Sequence, residues 1–213
     1  MSNVKKTPVV YVVDDDVALC QSLSWLLESV GLTVETFNSA QIFLDKYDIG
    51  QRGCLLLDIR MKGISGFELQ EKLINLGNRL PIIMMTGHGD IPMAVRAMKS
   101  GAVDFITKPF NDQLLLDLVQ RVLLEEAERK EEHETVSSGG IGNSELLERY
   151  ASLTAREREI MERVVDGKLN KQIAYELGIS MKTVELHRAH VMQKMQVKSL
   201  AELVKTCMQL ERA

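Results

Sequence analysis

The chain has 213 residues, 45% hydrophobic and 26% charged, which suits buried cores in one large domain or two small ones. No apolar run approaches the ~20 residues of a membrane span, and Lys5-Lys6 precede only a five-residue apolar run before three aspartates. Neither a membrane protein nor a secretory leader is expected. Cys20, Cys54 and Cys207 are odd in number and lack CxxC spacing, which argues against a disulfide framework or a thiolate metal site and for a reducing, cytoplasmic setting. The net charge of −4 is uneven: residues 1–125 sum to −3, 126–143 to −3 and 144–213 to +2. An acidic front and a locally basic back predict two domains with different partners.

In chain order, apolar runs at 9–13, 32–37, 54–57, 81–85 and 103–106 have strand length and alternate with helical patterns. Leu19, Leu23, Leu26, Leu27 and Val30 mark a first helical face ended by Gly31, and Asp90 with Pro92 starts a helix that Gly101 stops. From Asp112, the residues Leu115, Leu118, Val119, Val122 and Leu123 form another face. Five strands alternating with five helices predict a doubly wound α/β domain with a parallel sheet over 1–125. Residues 125–132 are polar on every side, which predicts a protruding helix end. Residues 135–143 read as a flexible linker, so 126–143 separate the two domains.

Residues 144–213 predict a four-helix, all-α domain. Thr154-x-x-Glu157 and Ser199-x-x-Glu202 are capping boxes, and Asn170 and Ser180 are candidate caps of two helices joined by a short turn at Gly178. On the helix over 181–195, Lys182, Glu185, Leu186 and Ala189 share an outward face, while Val184, Val191 and Met195 point inward. Such a face suits a major groove, with a carboxylate for cytosine N4 and methyls for thymine. Lys171, Lys182, Arg188 and Lys194 are candidate phosphate contacts, with Thr183 beside them; His187 is expected to pack or touch a phosphate.

Asp14-Asp15-Asp16 follow the first strand, Asp58 ends the third, Thr86 the fourth and Lys108 the fifth. In a doubly wound sheet these ends line the ligand crevice. Aspartates after strands often only cap helices. Clustered carboxylates repel, so they raise their pKa values or recruit a divalent cation, and oxygen-only donors favour Mg²⁺. A metal, a hydroxyl and an ammonium around a carboxylate make a site for a phosphoryl group on that carboxylate.

Asp14-Asp15, Asp58, Thr86 and Lys108-Pro109 resemble the receiver domain of two-component response regulators, a flavodoxin-like sheet of order 2-1-3-4-5. The back half resembles a LuxR-type helix-turn-helix through Leu153-Thr154-x-Arg156-Glu157, Asn170-Lys171-x-Ile173-Ala174 and Thr183-Val184-Glu185-x-His187-Arg188. Together, the chain resembles the NarL/FixJ family, nearest its FixJ branch. The resemblance implies a transcription factor in which Asp58 accepts a phosphoryl group from a sensor histidine kinase. Asp15, Asp58, Asp14 and the Arg60 carbonyl would hold Mg²⁺, Thr86 and Phe105 would switch, and Lys108, before a cis Pro109, would bind the phosphoryl group. Arg60 and His88 occupy positions that tune dephosphorylation. Phosphorylation would bring homodimerisation and binding of double-stranded DNA, with RNA polymerase as a further partner and no membrane. No enzyme activity beyond self-directed phosphoryl transfer and dephosphorylation is implied.

One departure is Met61-Lys62 where the family usually has Met-Pro, which bears on phosphate lifetime. Two other readings are a haloacid-dehalogenase-type phosphatase using Asp14-x-Asp16, and a receiver with a protein- or RNA-binding output.

Overall fold

The computed structural model describes residues 7–48, 50–87, 91–134 and 143–211. They form β1 (Val9–Val13), α1 (Val17–Glu28), β2 (Thr33–Phe37), α2 (Ala40–Lys46), β3 (Gly53–Asp58), α3 (Gly66–Asn75), β4 (Ile82–Thr86), α4 (Ile91–Lys99), β5 (Asp104–Thr107) and α5 (Asp112–Glu134). Then follow α6 (Asn143–Ala151), α7 (Ala155–Val165), α8 (Asn170–Leu177), α9 (Met181–Met195) and α10 (Leu200–Leu210). Two compact units result: the five strands with α1, α2, α3 and α5, and α4 with α6–α10.

In the first unit the sheet order is β2-β1-β3-β4-β5 and every pairing is parallel. Strands β1, β3 and β4 are buried along their whole length, which is why their sequences are continuous apolar runs rather than alternating ones. Val10, Val12, Cys54, Leu56, Ile83 and Met85 join Cys20, Leu23 and Leu27 of α1 and Leu115, Val119 and Val122 of α5 in one core. Tyr11, on the alternate register of β1, instead meets Phe43 and Tyr47 edge-on, with ring centroids 5.7 and 5.4 Å away. Each such side chain contributes ~1.5–3 kcal/mol when fully buried.

The register brings the strand ends level. Val13 lies beside Leu57, so Asp14 and Asp58 follow side by side; Asp58 pairs with Met85, and Thr86 with Thr107. Strands β3 and β4 thus run one residue past their apolar runs, because the ladder bonds the backbone whatever the side chain. Gly66 lets α3 approach this edge: a Cβ there would stand 2.2 Å from the Asp58 carbonyl oxygen. A capping box between Ser65 and Glu68 fixes the start of α3.

The polar end of α5 is not wholly solvated. Glu126 is buried and pairs with Arg52 Nη2 at 3.4 Å, a partner 74 residues away that helical periodicity cannot reveal. Residues 135–142 of the expected linker lie outside the described residues, and Asn143 already belongs to α6.

From Asn143 onward there are five helices, one more than the four expected, because α6 buries Leu146 and packs on α9 and α10. Both halves of the Thr154–Glu157 box form, and Ser180 Oγ accepts the Thr183 N–H at 3.0 Å. The Ser199 box is half formed, since Glu202 accepts from the Lys198 N–H rather than from Ser199. Asn170 is not a cap. Leu169 precedes α8, its N–H held by Gln172, while the Asn170 side chain turns to Arg188. Helix α8 ends at Gly178 with φ +62°, and the turn leads directly into α9.

Candidate functional site

Asp14, Asp58, Thr86 and Lys108 converge at the carboxyl edge of the sheet, each delivered by a different strand. Asp14 and Asp58 are buried, and Lys108 Nζ donates to Asp14 Oδ2 at 2.5 Å and to Asp58 Oδ1 at 2.6 Å. The second oxygen of Asp58 accepts the Arg60 N–H at 2.8 Å, and that of Asp14 accepts the Asp16 N–H at 2.9 Å. Burial pushes the Asp58 carboxyl above its ordinary pKa, against the pull of Lys108. Burial works against the Lys108 ammonium, but its bonds to Asp14 and Asp58 prevail and hold its pKa above the usual value.

One oxygen each from Asp14, Asp15 and Asp58 lie within 4.8 Å of one another. Three carboxylates against one ammonium leave two negative charges, which a divalent cation balances. An octahedral ion with ~2.1 Å bonds sets its ligands roughly 3–4 Å apart, so small side-chain rotations suffice. The all-oxygen donor set fits a hard cation. This acidic cluster can therefore coordinate a divalent metal.

Thr86 Oγ1 is buried and has no hydrogen-bond partner among the described residues. An orphaned buried hydroxyl is costly, and here it stands at the end of β4 next to Asp58 on β3. Phe105 lies half-buried on β5 opposite Met84; because Thr107 pairs with Thr86, Phe105 shares the Thr86 face of the sheet. The Lys108–Pro109 bond is cis, as the resemblance implies. His88 lies outside the described residues.

One contact of the site was not legible in the chain, and one aspartate takes the capping role that aspartates after strands often have. The Lys62 N–H reaches Asp15 Oδ2 at 3.4 Å, a bond that a proline at this position could not donate. Asp16 takes no part in the carboxylate cluster: its Oδ1 caps α1 by accepting from Ala18 and Leu19. Asp14-x-Asp16 is therefore not a convergent acid pair, which removes the basis of the phosphatase reading.

In the helical unit, Lys182, Glu185, Leu186 and Ala189 form an exposed face of α9, with Leu186 57% exposed. Val184, Val191 and Met195 are buried on the opposite side. Lys171 and Lys182 are exposed and make no ion pair among the described residues. Thr183 is half-buried and shares a hydroxyl contact with Ser180 at 2.8 Å. Two expected phosphate contacts are engaged internally. Arg188 Nη1 donates to Asn170 Oδ1, fastening α9 to α8, and burial lowers its pKa. Lys194 Nζ bonds Glu157 Oε2 at 2.6 Å and the Ser152 carbonyl at 3.2 Å. That bond, together with the Thr154 cap, draws the Glu157 carboxyl down to about 2 despite its burial.

Comparison with known proteins assigns both halves. Residues 10–120 match the family of response regulator receiver domains, and residues 151–207 match bacterial regulatory proteins of the luxR family. The chain is 44% identical to the response regulator protein TodT of Pseudomonas putida, over 97% of this chain and 88% of that one. It is 47% identical to the transcriptional regulatory protein FixJ of Azorhizobium caulinodans, over 92% and 90% of the two chains. The solved structure of the response regulator StyR is similar with a TM-score of 0.57 and 46% identity, over 95% of this chain and 99% of that one. Among the described residues no helix is long and apolar enough to cross a membrane.

Proposed function

This chain belongs to the NarL/FixJ family of two-component response regulators, and on that premise we propose that Asp58 is its phosphoacceptor. As a family member it takes a phosphoryl group on its receiver, dimerises and regulates transcription through the attached helix-turn-helix. Its only catalytic activity is self-directed phosphoryl transfer and dephosphorylation, and its partners are a cognate histidine kinase and DNA.

The observation that carries the assignment is a single ammonium bridging two buried carboxylates next to an unpartnered buried hydroxyl. An Asp58 carboxylate oxygen attacks phosphorus, the bond from phosphorus to the donor's imidazole nitrogen breaks, and an acyl phosphate forms. Lys108, already at Asp58, turns its charge to the incoming phosphoryl oxygens. The Arg60 N–H holds the attacking carboxylate in place. Asp15, Asp14, Asp58 and the Arg60 carbonyl would hold Mg²⁺, which when bound supplies charge neutralisation between the aspartates and the phosphoryl oxygens.

The Thr86 hydroxyl donates to a phosphoryl oxygen and so gains the partner it lacks. Its movement vacates space into which Phe105 turns, altering the receiver surface and favouring a homodimer. Arg60 and His88 tune phosphate loss. The receiver spans 1–125, a helical extension and linker 126–143, and the DNA-binding domain 144–213. There Glu185, Leu186 and Ala189 read bases, Lys171 and Lys182 hold phosphates, Thr183 lies beside them, and Arg188 and Lys194 brace α9. RNA polymerase is a further partner.

Mass measurement after incubation with acetyl phosphate tests the acceptor. One added phosphoryl group is expected with Mg²⁺, and none on Asp58→Ala or in EDTA. Labelling of Asp58→Ala would overturn the assignment.

A further inference from the structure

Outside the carboxylate site, a second group of metal-ligating side chains lies between α7 and α9. His187 and His190 stand three residues apart on α9, which places them on neighbouring positions of one helix surface. A nitrogen of each and a carboxylate oxygen of Glu157 on α7 all lie within 4.8 Å of one another. His190 Nδ1 is 3.7 Å from Glu157 Oε1, beyond hydrogen-bonding reach. Glu157 Oε2 is already engaged, by the Thr154 N–H at 2.8 Å and by Lys194 Nζ at 2.6 Å, and Oε1 is the oxygen turned toward the imidazoles. His187 Nδ1 is buried and has no hydrogen-bond partner among the described residues. A buried ring nitrogen without a partner is uncommon, and here it belongs to an imidazole that lies beside a second imidazole and an anionic oxygen.

We propose that Glu157, His187 and His190 bind one divalent transition ion of the Zn²⁺ class, with water completing its coordination. Two imidazoles and a carboxylate are a donor set that suits zinc and leaves one position of a tetrahedron open. Bonds of ~2.0–2.1 Å set tetrahedral ligand atoms about 3.3 Å apart. The three donors therefore need to close by at most ~1.5 Å. His190, whose side chain is 47% exposed, can turn inward to do so, and its exposure admits the water. Glu157 would bridge, giving Oε2 to Lys194 and Oε1 to the ion. Imidazole nitrogen selects borderline ions, whereas the all-oxygen cluster of Asp14, Asp15 and Asp58 selects hard ones, so the two sites take different metals. An ion here would tie α9 to α7 and add positive charge to the DNA-facing unit.

The full-length protein, stripped of metal and held in millimolar Mg²⁺ to fill the oxygen site, is titrated with Co²⁺ while visible absorption is followed. Four-coordinate Co²⁺ absorbs strongly in the visible range and octahedral Co²⁺ weakly, so the spectrum separates the two sites. The expected result is a four-coordinate spectrum saturating near one equivalent and erased by Zn²⁺. His190→Asn and His187→Gln should each weaken binding at least ~10-fold, with circular dichroism confirming the fold. Asp15→Asn should leave the titration unchanged. An absent four-coordinate band, His190→Asn titrating like the unaltered protein, or loss of the band in Asp15→Asn would each overturn the proposal.

Discussion

Replacing Lys108 with alanine removes the ammonium that bridges Asp14 and Asp58. At an effective dielectric of about 20, each contact is worth roughly 5 kcal/mol gross, most of it offset by desolvation. Breaking a buried pair typically costs ~3–5 kcal/mol, because the abandoned carboxylates stay buried. The Lys108 side chain is 25% exposed, so water reclaims part of that loss, leaving about 2–3 kcal/mol. For a domain of this size the receiver should melt roughly 10 °C lower in EDTA. The chain has a single tryptophan, Trp25 on α1, so its fluorescence follows the receiver alone. A divalent ion stabilises the folded form by ~2.7 kcal/mol at a hundredfold excess over its Kd. Bound between the same aspartates, it should shrink the deficit of Lys108→Ala. A variant as stable as the unaltered protein in EDTA, or a deficit unchanged by Mg²⁺, would refute the reasoning.

Thr86→Ala should still be phosphorylated on Asp58, yet sedimentation should show far less dimer than for the unaltered phosphorylated protein. Lys182→Ala should weaken binding to all duplexes alike and reduce the log–log salt slope by about 1. Leu186→Ala should instead cost ~1–3 kcal/mol on the preferred sequence and little on scrambled DNA, measured by titration at fixed salt. Burial pushes the thiols of Cys20 and Cys207 up to about 11 and that of Cys54 to about 12. A raised thiol pKa keeps the unreactive protonated form below that value, so a thiol reagent should leave all three untouched at pH 8 until denaturant is added.

What the sequence revealed follows from how far each signal reaches along the chain. Strands buried on both faces leave continuous apolar runs, and Asp14, Asp58 and Thr86 each stand where such a run ends, while Lys108 follows the shorter edge strand β5. The parallel order then brings those ends together without further information. Pairings across long separations leave no such trace: Arg52 with Glu126, Asn170 with Arg188, and Glu157 with Lys194 are joined only by folding. Hence Glu126 reads as solvated, and Arg188 and Lys194 read as free cations for phosphate. The Lys62 N–H on Asp15 is a backbone contact and independent of side-chain pattern. Helix α6 escapes because it is short and its apolar face is only one turn long, Leu146 buried and Tyr150 half-buried four residues on.

The central claim is that phosphorylation of Asp58 controls binding of DNA by α9. Its most direct measurement is the affinity of the full chain for a duplex selected from a random pool, with and without acetyl phosphate and Mg²⁺. Dimerisation couples two DNA-binding heads, so affinity should rise by at least ~10-fold on phosphorylation through the higher effective concentration. Asp58→Ala should bind weakly under both conditions. Equal affinity of the phosphorylated and unphosphorylated protein, or an equal rise in Asp58→Ala, would contradict the account.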